Sequence, residues 1–310
     1  MLCSYTPNKS LRLKIENACN LKCSFCHAEG NCNADRMTVD QVNGILDFSD
    51  QYGYSKIHLT GGEPTLHPDV DAIVLACISR KKTCAITSNG QCKPSTIEKL
   101  INAGLQSINF SFPTIDPLNW SQLQDNTSLE VSRHQIANVI SSIDYSVQRG
   151  LRTKINIVIG SSPIEAVDVI DNFAGSPVEL RLLNALGNEM ALTSIDTVLA
   201  HYSAQLVDEI ATMGSSQVKR IFDSSIGRLV VKAIRPYRQA SVCQNCNQKC
   251  NEGIYGIRLE SSNNLVFARF CIQNSGGQSI KKLVDLPNTE QFCALYRESG
   301  ISMNDQKEMF

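Results

Sequence analysis

The chain has 310 residues, of which 42% are hydrophobic and 19% charged. It can bury one large core or two ordinary ones and shows no repeat or low-complexity tract. A formal net charge of -1 gives no general pull toward nucleic acid or an anionic membrane, so any anionic ligand must be held by local charges. The longest apolar stretch, residues 72–78, is too short to span a bilayer, and no basic segment followed by an apolar run opens the chain. The expected location is therefore cytoplasmic, where 13 cysteines point to metal rather than to disulfides.

From residue 11 to about residue 185, short β-rich runs alternate with amphipathic helical patterns. The runs are LRLKI (11–15), KIHLT (56–60), TCAITS (83–88), SINFSF (107–112), TKINIVI (153–159) and VELRLL (178–183). The helical patterns cover 38–50, 69–80, 95–103, 130–149 and 163–173. Strand and helix in this order predict a parallel α/β sheet with right-handed crossovers, and six repeats suit a partial (β/α)6 TIM-like barrel. Chemistry in such a barrel sits at the C-terminal strand ends. Those ends carry the unusual residues: a cysteine loop after the first strand, GGEP (61–64) after the second and SNG (88–90) after the third.

Beyond residue 188 the pattern predicts a helix over 193–213, then a basic β-rich passage over 218–238. A hairpin follows over 254–271, with a Ser/Asn turn between two alternating strands. Cys243, Cys246, Cys250 and Cys271 surround this hairpin. A boundary near residue 214 divides a barrel domain, 1–214, from a smaller C-terminal domain, 215–310, built on the β-hairpin.

The first cysteine group, Cys19, Cys23 and Cys26, offers three thiolates at CxxxCxxC and no clean fourth ligand, since His27 adjoins Cys26. Structural zinc takes four ligands, usually as two pairs. Three thiolates on a four-iron cluster leave one iron open for chemistry.

CxxxCxxC with Phe25 before its last cysteine, GGEP at the next strand end and TSNG at the third together resemble the radical S-adenosylmethionine (SAM) enzymes. The resemblance implies a [4Fe–4S] cluster on Cys19, Cys23 and Cys26 whose open iron is chelated by SAM. Reductive cleavage of SAM then yields a 5′-deoxyadenosyl radical that removes hydrogen from substrate. It further implies that Gly61, Gly62 and Glu63 hold the SAM amino end, that Ser88 and Ser111 lie near its ribose or carboxylate, and that an electron donor such as flavodoxin or ferredoxin is a partner.

A finer similarity, carried by SINFSFPTIDP, IDYSVQRGLRTKINIVIG, LRLKI and the late cysteine-bearing hairpin, is to the GTP 3′,8-cyclase family of molybdenum-cofactor biosynthesis. That family grips its nucleotide with basic residues, and Arg12, Lys56, Lys154 and Arg181 match four of them. Arg258 in GIRLE matches one of a pair near the auxiliary site. The implied substrate is a small, anionic or nucleotide-like molecule. Departures accompany the match: His58 stands where the family has an arginine, SFP replaces SLD after the fourth strand, Cys250 is additional, and the chain ends in KEMF without a diglycine tail.

Cys243, Cys246, Cys250 and Cys271 are expected to hold a second [4Fe–4S] cluster in a twitch-like auxiliary domain. Without Cys250 that cluster keeps an open iron, and zinc on four thiolates is the alternative. A peptide-modifying radical enzyme and a non-enzymatic iron–sulfur redox or sensor protein are the competing functions. Cys77 and Cys84 read as core thiols, Cys32 and Cys92 as loop cysteines, and Trp120 as a packing anchor.

Overall fold

The computed structural model describes residues 4–6, 9–24, 26, 35–212, 215–234, 257–262, 265–269 and 281–282. After β1 (Ser4–Thr6) come six strands that lie side by side in chain order, all parallel. They are β2 (Ser10–Glu16), β3 (Lys56–Gly61), β4 (Thr83–Ser88), β5 (Ser107–Ser111), β6 (Arg152–Ile159) and β7 (Glu179–Asn184). The crossovers carry α1 (Val39–Gln51), α2 (Val70–Ser79), α3 (Pro94–Asn102), α4 (Pro117–Leu123), α5 (Leu129–Gln148) and α6 (Ile164–Phe173).

After β7, α7 (Ala191–His201) leads into β8 (Gln205–Thr212), β9 (Gln217–Ser224) and β10 (Gly227–Ile234). β10 joins the β7 edge in parallel, and β9, β8 and β1 extend it outward. At the opposite edge β11 (Ile257–Ser262) runs parallel to β2, followed by antiparallel β12 (Leu265–Arg269) and β13 (Lys281–Lys282). Among the described residues the sheet has 13 strands and its two ends do not meet, so the α/β barrel is open.

Alternation along the strands explains the two faces. Leu11, Leu13, Ile57, Leu59, Ile155 and Ile157 are at most 1% exposed and join the helix residues Val42, Leu46, Ile73 and Val139 in one core. Each such side chain stabilises the fold by about 1.5–3 kcal/mol. The intervening residues Arg12, Lys14, His58, Asn109, Lys154, Asn156 and Arg181 lie on the inner face, where parallel strands packed on both sides would ordinarily be apolar. A polar inner face is what a lined cavity requires.

Local chemistry sets the helix starts. Thr38 caps α1 in a reciprocal box with Gln41, the two bonds measuring 2.9 and 3.2 Å. Ser128 caps α5, and Asp116 caps α4 with Pro117 at its first position. Gly150, at φ 73°, turns the chain out of α5 into β6.

The helix expected over 193–213 is only half helical. It stops at His201, Ser203 takes a left-handed φ of 50°, and residues 205–212 form β8. Pairing on both edges, antiparallel to β9 and parallel to β1, outweighs the local helical pattern. The short helix α4 is not apparent in the strand–helix periodicity. It seats Trp120, 1% exposed, edge-on to Phe112 at 5.9 Å, with its indole N–H donating to Gln135 Oε1 at 2.8 Å. The hairpin expected over 254–271 is present as β11 and β12, paired from Arg258 with Arg269 to Ser262 with Leu265.

Candidate active site

The cysteine loop leaves β2 at Glu16, whose buried carboxylate accepts from the Ala18 N–H at 2.9 Å and pairs with Arg36 at 2.5 Å. Glu16 and Arg36 also form a backbone bridge, so the loop is closed at its base. Cys19 and Cys26 are exposed and Cys23 is half-buried. Cys19 Sγ accepts from the Leu21 N–H at 3.5 Å and from Asn89 Nδ2 at 3.7 Å. Cys23 Sγ accepts from Gln124 Nε2 at 2.9 Å.

Partial desolvation by the surrounding loop raises the Cys19 thiol pKa even though the residue reaches solvent, burial pushes Cys23 up to about 11, and the neighbouring thiols add to both shifts. The three sulfurs are thus near enough to feel one another. Yet among the described residues no three of His, Cys, Asp and Glu are gathered closely enough for one metal ion. The donor set itself, three soft thiols on one loop that feel one another's charge, has the chemistry of an iron–sulfur site, which thiolates hold.

GGEP follows β3. The Gly62 N–H donates to the Glu16 carbonyl and the Glu63 N–H to that of Ala18, both at 2.8 Å. A Cβ on Gly61 would collide with the Glu16 carbonyl oxygen, and one on Gly62 with that of Ala18. The glycines therefore let the end of β3 lie directly against the root of the cysteine loop. Glu63 is fully buried and burial raises its pKa. Its carboxylate accepts from the Thr65 N–H and hydroxyl at 3.0 and 2.6 Å and from the Asn89 N–H at 2.6 Å, tying the GGEP turn to the SNG turn. Ser88, 1% exposed, accepts from the Gly90 N–H at 3.0 Å. Ser111 ends β5 beside Asn156. Burial pushes the Cys92 thiol up to about 11, so it is protonated at neutral pH.

A second layer lies inside the barrel, on the strands themselves. Arg12 stands in register with His58 on one side and Arg258 on the other, and Asn156 with Arg181. Lys154 and Arg181 are each 8% exposed and Arg258 3%. Lys154 donates to Ser107 Oγ at 3.2 Å, and Arg181 pairs with Glu179 at 2.5 Å.

Burial, then Arg181 and Arg152, lower the Lys154 pKa to about 8. Burial disfavours the Glu179 anion, but Arg181, Arg152 and Lys219 more than reverse this and hold it at about 2. Burial followed by Arg12, Lys232, Arg181 and Lys154 drives His58 well below its usual value, leaving a neutral ring 2.7 Å from Thr87 Oγ1. Lys232 in β10 is depressed by burial and by Arg181, Arg12, Lys154 and Lys219. Asn109 Oδ1 and Asn156 Oδ1 are buried without a hydrogen-bond partner among the described residues.

Of the expected site residues, then, Cys19, Cys23, Gly61, Gly62, Glu63 and Ser88 share the cysteine-loop end, with Cys26 on the same loop and Ser111 at the neighbouring strand end. Arg12, Lys154, Arg181 and Arg258 share the interior. Lys56 is exposed at the start of β3, the strand end opposite GGEP. Phe25, Cys243, Cys246, Cys250 and Cys271 lie outside the described residues. Lys232, Gln124 and Asn89 are not singled out by the sequence: the first enters the barrel through β10, the second acts from the end of α4 and the third from the turn after β4. Only Asn89, inside TSNG, had a motif to signal it.

The family model of the radical SAM superfamily matches residues 13–173. A "probable GTP 3′,8-cyclase" of Sulfolobus acidocaldarius is 28% identical over 250 residues, 77% of this chain and 77% of the relative. One from Methanocella arvoryzae is 28% identical over 84% of each chain, and one from Methanococcus maripaludis 26% identical over 92% of this chain and 96% of its own. Among solved structures, Streptococcus suis SuiB bound to its precursor peptide SuiA superposes with a TM-score of 0.64 at 17% identity, covering 94% of this chain. SuiB bound to S-adenosylmethionine gives 0.61 at 16% over the same share. This chain spans 65% and 64% of those two, so the likeness is one of fold. No helix among the described residues is long and apolar enough to cross a membrane.

Proposed function

The chain belongs to the radical SAM superfamily, an enzyme family using a [4Fe–4S] cluster and SAM, and from that premise we propose that it acts on a small anionic, nucleotide-type substrate bound inside the barrel. The observation that carries this reading is the crowding of Arg12, Lys154, Arg181 and Lys232 on the inner face, where burial and mutual repulsion depress Lys154 and Lys232. Cations held together at that cost are stabilised by a multiply charged anion, and Arg and Lys are the side chains that phosphate selects. Asn109 Oδ1 and Asn156 Oδ1 are available to accept from hydroxyl or N–H groups of the same ligand.

Cys19, Cys23 and Cys26 hold the cluster in this reading, and when bound with SAM it supplies a 5′-deoxyadenosyl radical. The protein's part is to keep the three thiols in place through Gln124, Asn89 and the Glu16–Arg36 pair. It also sets the substrate one layer deeper in the barrel, away from water. Gly61, Gly62, Glu63, Ser88 and Ser111 line the wall between the two layers and are assigned to SAM. A flavodoxin or ferredoxin is the proposed source of electrons.

The relatives favour one specific activity, GTP 3′,8-cyclisation, since they match over 77–96% of their own lengths. His58 weighs on that choice, because a neutral ring replaces a permanent charge. The region beyond residue 214 is assigned a second [4Fe–4S] cluster on Cys243, Cys246, Cys250 and Cys271. Reconstituted protein should then hold about eight irons rather than four, with the difference lost on replacing Cys243 and Cys246 by Ala.

Calorimetric titration with GTP, GMP and guanosine tests the substrate class. Affinity should rise with phosphate number and fall by about tenfold or more in Arg181→Ala. Equal binding of all three ligands would overturn it.

A further inference from the structure

Gln124 follows the last turn of α4 and is 6% exposed, with Asp125 and Asn126 both left-handed (φ 57° and 56°) immediately after it. Its side-chain amide spans the cysteine loop: Nε2 donates to Cys23 Sγ at 2.9 Å and Oε1 accepts from the Lys22 N–H at 3.0 Å. The Ser24 N–H donates to the Leu123 carbonyl at 2.8 Å. Three consecutive loop residues are thus bound to two consecutive residues about a hundred positions later, and the middle one is a cysteine.

The support is rigid. α4 is capped by Asp116 and anchored by Trp120, and Ser121 Oγ donates to the Thr127 carbonyl at 2.5 Å across the turn that follows. Closing a helix end does not require this side chain, because the Gln124 backbone N–H already bonds to Ser121 O. Both halves of the amide are spent on the loop.

An N–H donated to a thiolate that ligates an iron–sulfur cluster stabilises the more electron-rich form, and hydrogen bonds to the sulfurs help set the potential. We propose that Gln124 is a positioning residue that fixes Cys23 and raises the reduction potential of the cluster held by Cys19, Cys23 and Cys26. This inference rests on the cluster assignment above. Of the donors described, the one to Cys23 is the shortest, since those to Cys19 stand at 3.5 and 3.7 Å.

The test is a redox titration of reconstituted, SAM-free protein, following the electron paramagnetic resonance signal that a separate addition of SAM perturbs. Gln124→Met keeps the length and removes donor and acceptor. Gln124→Glu keeps an acceptor for the Lys22 N–H and puts negative oxygen against the sulfur. The midpoint should move to more negative potential in Gln124→Met and further in Gln124→Glu. At a fixed potential the reduced fraction should fall several-fold while iron content holds. Unchanged midpoints in both variants would overturn the proposal, because a merely structural role would alter stability and leave the potential alone.

If a variant fails to retain iron, amide hydrogen exchange at Lys22 in the iron-free protein decides, because its N–H loses the Gln124 Oε1 acceptor in Gln124→Met. Markedly faster exchange there is expected, and equal rates would overturn the clamp. Absence of a SAM-perturbed signal in the unaltered protein would strike the cluster assignment and this proposal together. That failure is recognisable before any substitution is made.

Discussion

The two halves of the site are built in opposite ways. The cysteine-loop end is assembled from turns that follow strands and from the end of α4, with the amides of Gln124 and Asn89 and backbone N–H groups as neutral donors and two glycines that let chains touch. The interior layer is carried on the strands themselves and is cationic, with Arg12, Lys154, Arg181 and Lys232 each from a different strand. Loops can bring three sulfurs to one place from eight residues of sequence, whereas a barrel can surround a ligand only by taking one residue from each strand. The first half suits a resident redox group and the second a charged ligand that comes and goes.

Removing a thiol should have the largest effect. Cys23→Ala should abolish SAM cleavage and lower bound iron by about one cluster, read by 5′-deoxyadenosine release and iron assay. The interior should behave differently. Arg181→Ala should raise KM for an anionic substrate about ten- to a hundredfold, the equivalent of about 1.4–2.8 kcal/mol, while cluster content stays unchanged. If Arg181→Ala instead lost iron, the two halves would not be separable.

The wall between them is tested by Gly62→Ala. Its Cβ would meet the Ala18 carbonyl, so the variant should lose about 1–3 kcal/mol in denaturant unfolding and displace the root of the cysteine loop. A smaller effect concerns pH. Lys154 titrates near 8 in the folded protein against 10.5 for the free side chain, so between those values the unfolded chain binds more protons and stability should rise with pH. Over the same interval the cation is lost from the folded protein. Affinity for an anionic ligand should therefore weaken above about pH 8, and Lys154→Met should flatten that dependence.

The cysteine-loop half was far more legible in sequence than the interior. CxxxCxxC, GGEP and TSNG are contiguous, and the six central strands lie within a residue or two of the β-rich runs because alternation is a local signal. Arg12, Lys154 and Arg181 were identified through family resemblance rather than spacing, and Lys56, marked in the same way, stands exposed at the far strand end. Lys232 carried no signal, since β10 reaches the barrel only by pairing with β7 about fifty residues earlier. Gln124 was invisible for the same reason, its sulfur partner being 101 positions away. The helix pattern of 193–213 misled because the pairing that makes residues 205–212 a strand comes from β9 and β1.

The most direct measurement is 5′-deoxyadenosine release by anaerobically reconstituted, dithionite-reduced protein, with and without GTP. SAM cleavage that rises strongly with GTP and is lost in Cys23→Ala would be the result expected of a thiolate-held cluster serving a nucleotide site. No cleavage under any condition, with Cys19, Cys23 and Cys26 intact and iron bound, would contradict it.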